Sequence, residues 1–103
     1  SQSVRVNLRD VLYIEAQKHY VNLCLENAEP MTVKVVFAEL LQKMQEKSGT
    51  FLTTHRSYAV NIDKVVRIGR TECILSDGSS IPVSRSFYKA VNEAFIKYHL
   101  GRK

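Results

Sequence analysis

Along most of this chain polar and apolar residues alternate or gather in short blocks, and a helical period takes over in only two places. Val4, Val6 and Leu8 alternate with Arg5, Asn7 and Arg9, which is the two-residue period of a half-buried strand. Val11-Leu12-Tyr13-Ile14 is a continuous apolar run and predicts a second strand, covered on both faces. Polar residues from Glu15 to His19 turn the chain, and Tyr20 to Glu26 alternates again with Val21, Leu23 and Leu25 on one side. Asn27-Ala28-Glu29-Pro30 has turn chemistry, and Met31 to Val35 predicts another short strand.

The period changes at Val36. Phe37, Leu40, Leu41 and Met44 fall at i, i+3, i+4 and i+7, so the spacing predicts an amphipathic helix over residues 36–47, with Gly49 placed to end it. Phe51 to Thr54 then predicts a strand, and Val65–Ile68, Thr71–Ser76 and Ser79–Val83 predict a meander. Asp77-Gly78 suits the centre of a tight hairpin with positive φ at both positions. Pro82 lacks an N–H and belongs on an edge strand. Phe87, Val91, Phe95 and Tyr98 share one face of a terminal helix, which Ser84 or Ser86 can cap and Gly101 can stop. The pattern is that of a mostly β domain with one inserted helix and a C-terminal helix.

At 103 residues the chain is one domain, and 45% hydrophobic with 24% charged residues is ordinary globular composition. No apolar run approaches the roughly 20 residues of a membrane helix and no leader precedes the first strand, so a cytoplasmic location is expected. The start at Ser1, without Met, suggests a piece of a longer protein. The net charge of +5 is uneven: residues 1–50 balance, and residues 51–103 hold the whole excess. That asymmetry suits an acidic polyelectrolyte.

Catalytic chemistry finds little support. His19, His55 and His99 are scattered, the two cysteines Cys24 and Cys73 lack metal spacing, and no glycine-rich phosphate loop occurs among four glycines. No enzyme activity, metal or cofactor is expected. Arginine chemistry is more suggestive. Arg56 sits in the polar break Thr53-Thr54-His55-Arg56-Ser57-Tyr58, and Arg85 in Val83-Ser84-Arg85-Ser86. A guanidinium fork on a short loop can read a guanine edge while neighbouring hydroxyls hold phosphates. Arg56 and Arg85 are therefore candidate base contacts, with Lys18 or His19 in the early turn as a third. Ser57, Tyr58, Lys64, Arg67, Arg70, Ser84, Ser86 and Lys89 are candidate phosphate contacts. His55 is expected to bond a backbone carbonyl and fix its loop, and Asn61 to form a turn.

Val11-Leu12-Tyr13-Ile14-Glu15-Ala16, His19-Tyr20-Val21, His55-Arg56-Ser57-Tyr58-Ala59-Val60-Asn61 and Ile81-Pro82-Val83-Ser84-Arg85 occur in an order that resembles the LytTR family of bacterial DNA-binding domains. The resemblance runs from about Val4 to Tyr98, and Ala59 departs from it by standing where a larger aliphatic is usual. It implies an elongated core of short, mainly antiparallel sheets, and base contacts from loops entering successive major grooves. It further implies double-stranded promoter DNA with direct repeats as partner, two copies per site, and an N-terminal receiver domain of a two-component response regulator. Two other uses remain open on the residues alone: an RNA- or single-strand-binding β domain, and a protein-interaction module that offers a sheet edge.

Overall fold

The run that begins at Val11 becomes the middle strand of the molecule, and a one-residue irregularity lets it feed two cores. The computed structural model describes residues 5–101. In chain order its elements are β1 (Val11–Ala16), β2 (Val21–Leu25), β3 (Met31–Val33), α1 (Phe37–Lys47), β4 (Phe51–His55), β5 (Tyr58–Asn61), β6 (Val65–Ile68), β7 (Glu72–Leu75), β8 (Ser80–Pro82) and α2 (Arg85–Leu100). One antiparallel sheet has the order β3-β2-β1-β5-β4, and a second has the order β6-β7-β8. The molecule is elongated, 41 Å long against 29 and 25 Å.

The β1–β2 register slips between Val11 and Tyr13, so Leu12 is an extra residue in the strand. Val11 and Ile14 consequently share a core with Val21, Leu23, Phe51, Ala59 and the α1 residues Leu41 and Met44. Leu12 points into a second core with Val60, Val65, Cys73, Leu75, Ile81 and Val83, against which Phe95 and Tyr98 of α2 also pack. The large sheet is thus covered by α1 on one face and by the small sheet with α2 on the other. That is why Val11-Leu12-Tyr13-Ile14 carries no polar alternation.

Three local expectations need correction. Leu8–Asp10 forms a 3-10 turn and not a strand, with the Asn7 side chain accepting from the Arg9 N–H at 3.0 Å. An Asn side chain that bonds two residues ahead competes with ladder pairing, and three alternating apolar residues are too few to resist it; Val4 lies outside the described residues. Ser84 is the N-cap residue of α2, yet neither it nor Val36 before α1 makes a side-chain capping bond. Gly49 lies one residue beyond the α1 C-cap, which is Ser48 in extended conformation.

The third concerns the β7–β8 turn, where only Gly78 has positive φ, at 92°. Its N–H donates to the Leu75 carbonyl and the Leu75 N–H donates to the Ser79 carbonyl, both at 2.9 Å, which closes a three-residue loop with glycine in the left-handed position. Gly78→Ala should cost about 1–2 kcal/mol in chemical denaturation because a Cβ disfavours this φ. Gly49→Ala, where a Cβ meets nothing within 4 Å and φ is ordinary, is the matched control.

Candidate nucleic-acid interface

Sheet register decides which cations share an end of the molecule. Ala16 pairs with Val21, Glu15 with Tyr58, and His55 with Tyr58, so the β1–β2 and β4–β5 turns emerge side by side from one end of the large sheet. Lys18 and His19 are the two tip residues of the first turn, both exposed, between Gln17 and Tyr20, which exchange backbone bonds of 2.8 and 3.4 Å. Arg56 and Ser57 are the tip of the second turn, and Arg56 is exposed. With neighbouring strands about 4.8 Å apart, the centres of the two turns lie roughly 10 Å apart.

Arg85 reaches the same end by a different route. The β4–β5 register slips at Thr54, and the Thr54 carbonyl accepts from the Ser84 N–H at 2.8 Å. That bond ties the start of α2 to the outermost strand beside the Arg56 turn. The order along this end is therefore Lys18/His19, Arg56, Arg85. Neither Arg56 nor Arg85 is held by a carboxylate among the described residues.

Arg70 joins the row through the small sheet. Its guanidinium lies 5.1 Å from the Tyr88 ring centroid, a cation–π contact. It lines one cleft with Thr71, Val83, Arg85 and Tyr88. The link is the Val83 N–H, which donates to the Thr71 carbonyl at 2.9 Å. Lys89 is exposed one helical turn beyond Arg85 on the same side of α2, Ser86 is exposed in the first turn, and Arg67 is exposed on β6.

Two of the expected phosphate contacts are occupied elsewhere. Lys64 lies at the opposite end of the large sheet, where its ammonium pairs with Glu26 at 2.9 Å and is largely covered. The Tyr58 hydroxyl donates to the Glu15 carboxylate at 2.9 Å, and burial together with that bond raises its pKa. A hydroxyl proton spent on a carboxylate cannot also be donated to a phosphate. His55 does fix its loop, by a reversed bond: its Nδ1 accepts from the Ser57 N–H at 3.0 Å instead of donating to a carbonyl. Asn61 is buried, donating to the Val11 carbonyl and accepting from the Asp63 N–H.

Lys34 was not picked out by the sequence pattern, because it reads as a polar position of a strand. Strand β3 stops at Val33, which pairs with Val21, so exposed Lys34 emerges beside the first turn. It lines one hollow with Lys18, His19, Val35 and Val36. Nothing local marks it; only the β2–β3 register does.

The cysteines take no part. Both are free, and burial, aided by the nearby Glu72 charge, pushes the Cys73 thiol up to about 11, so it stays neutral and unreactive at physiological pH. No group of three His, Cys, Asp or Glu placed to hold a metal occurs among the described residues, and no described helix is long and apolar enough to cross a membrane.

A family model of the LytTr DNA-binding domain matches residues 1–96 of the chain. The chain belongs to that family. The transcriptional regulatory protein BtsR of Escherichia coli is 29% identical over 94 residues, covering 86% of this chain and 37% of BtsR. An uncharacterised response regulatory protein of Yersinia pestis is 34% identical over 67 residues, covering 60% of this chain and 28% of that protein. This LytTr domain thus spans little more than a third of the length of BtsR and less than a third of the Yersinia protein. The solved LytTr DNA-binding domain of a methyl-accepting/DNA response regulator from Bacillus cereus superposes with a TM-score of 0.70 at 24% identity. The match covers 96% of this chain and 88% of that one, and it establishes the mostly antiparallel fold with its inserted and terminal helices.

Proposed function

We propose that this chain is the DNA-reading unit of a longer transcription regulator with a receiver domain, and that it recognises duplex DNA from turns instead of from a recognition helix. Arg56 and Arg85 read base edges in the major groove, with Lys18 or His19 as a third reader. Ser57, Ser84, Ser86, Arg67, Arg70, Lys89 and Lys34 hold phosphates. The observation that carries this reading is the row of exposed cations without carboxylate partners on two adjacent turns at one end of the large sheet and on the start of α2, which is tied beside them. A planar fork on a two-residue turn loses little freedom when it binds, and the ordered scaffold beneath it fixes the angle of approach.

Two copies bind one promoter site as direct repeats, each contributing the same row. Single-strand recognition would need exposed aromatic platforms, and of the five tyrosines only Tyr20, at 45% exposure, is among the large exposed residues. The deciding experiment is an anisotropy titration with a duplex selected from a random pool, competed by either of its separated strands. Preference for a single strand would overturn the proposal.

Charge placement gives a second test. Lys34→Gln should lower the slope of log affinity against log salt by about 0.9 unit for any duplex. Lys64→Gln should leave the slope unchanged, because Lys64 is paired at the far end. Equal effects of the two substitutions would show that the footprint does not follow this end of the sheet.

A further inference from the structure

We propose that Glu15, Tyr58 and His55 form a positioning relay that aims Arg56, so that residues with no contact to DNA set how sharply it discriminates. The inference rests on Arg56 being a base reader. The chain of contacts is continuous. The Glu15 carboxylate accepts from the Tyr58 hydroxyl at 2.9 Å. The Tyr58 ring meets the His55 ring edge-on, with centroids 5.6 Å apart. His55 Nδ1 accepts from the Ser57 N–H at 3.0 Å, and the Ser57 carbonyl accepts from the Ala16 N–H at 2.7 Å. The tip of the turn is therefore gripped through both polar groups of one peptide-bearing residue, immediately beside Arg56.

The histidine takes a place that this chain elsewhere gives to Asn or Asp. Asn7 to Arg9, Asn61 to Asp63 and Asp77 to Ser79 all use a side-chain oxygen to accept the N–H two residues on, at 3.0, 3.1 and 2.9 Å. Among the described residues only the Arg56 turn uses a ring nitrogen as this acceptor, and there an aromatic ring, that of Tyr58, packs against it. Because a backbone N–H can only donate, Nδ1 is the bare nitrogen and Nε2 carries the proton. Glu15 adds to the case. It is half-buried on the middle strand without a cationic partner among the described residues, and its bond is to the tyrosine that braces the ring. A bidentate fork is an angular device, so a turn free to tilt loses specificity before it loses charge attraction.

The experiment measures the ratio of dissociation constants for scrambled and selected duplexes in His55→Ala, His55→Asn, Arg56→Ala and the double variant His55→Ala/Arg56→Ala. The relay predicts that His55→Ala lowers the ratio about threefold to tenfold while affinity for scrambled DNA holds. His55→Asn restores it only in part, since an amide oxygen can accept the Ser57 N–H but offers the Tyr58 ring nothing to brace. In the Arg56→Ala background His55→Ala has no further effect, and Tyr58→Phe lowers the ratio only when Arg56 is present. Equal losses in both backgrounds, no loss in either, or full rescue by asparagine would overturn the relay while leaving Arg56 as a reader. If Arg56→Ala itself leaves the ratio unchanged, the reader assignment and the relay both fail.

Discussion

Arg56→Ala is expected to remove about 1–3 kcal/mol of preference for a selected duplex over a scrambled one, and Arg85→Ala a similar amount. The size follows from the chemistry of a fork on a base edge: the correct base satisfies two N–H groups, and a wrong base leaves them desolvated without acceptors. Both arginines are exposed and free of carboxylates among the described residues, so neither must break an internal bond before binding. Charge and geometry separate in Arg56→Lys, which keeps the cation and loses the planar fork. That variant should retain the salt dependence of binding and lose nearly as much preference as alanine. Titrations at two salt concentrations measure both quantities. Full preference in the lysine variant would mean that Arg56 acts as a point charge on a phosphate.

The largest effect on stability is expected at the middle strand. Ile14→Ala should cost about 2–5 kcal/mol, which is a large fraction of the roughly 5–15 kcal/mol that holds a domain of this kind together. Ile14 is 0% exposed, and across β1 it faces Leu23 on one side and Ala59 on the other. The Ala59 methyl is too small to collapse into the space an isoleucine vacates, so the cavity persists. A fall in thermal midpoint of about 4–8 °C per kcal/mol follows for about 100 residues. Val66→Ala, at 59% exposure on β6, is the control and should change stability by less than about 0.5 kcal/mol. If the two substitutions cost the same, β1 is not the strand shared by two cores.

How far the fold was legible depended on how local each signal is. The α1 stripe of Phe37, Leu40, Leu41 and Met44 repeats over two turns, and the helix runs Phe37–Lys47 against an expected 36–47. Pro82 was expected at an edge, and β8 is an edge strand, because a missing N–H is a property of one residue. The tract before Val11 failed for the opposite reason: an alternation of three residues fits a strand or a tight turn equally, and the Asn7 side chain decides between them. The Arg56 break was read as a loop within one run, although β4 and β5 make it the tip of a two-residue hairpin. Strand pairing across the turn is a tertiary fact.

The amino-acid order alone determined which side chains carry forks, where most of the strands lie, and that the cationic excess lies in the second half. It also carried the family motifs, since those are short and contiguous. Only folding decided which cations lie together. Lys34 joins Lys18 and His19 because β3 ends beside β2, Arg70 joins Arg85 because Val83 bonds Thr71, and Lys64 is drawn away to Glu26. Electrostatic attraction depends on distance through space, and register and sheet packing set that distance with no regard to separation along the chain.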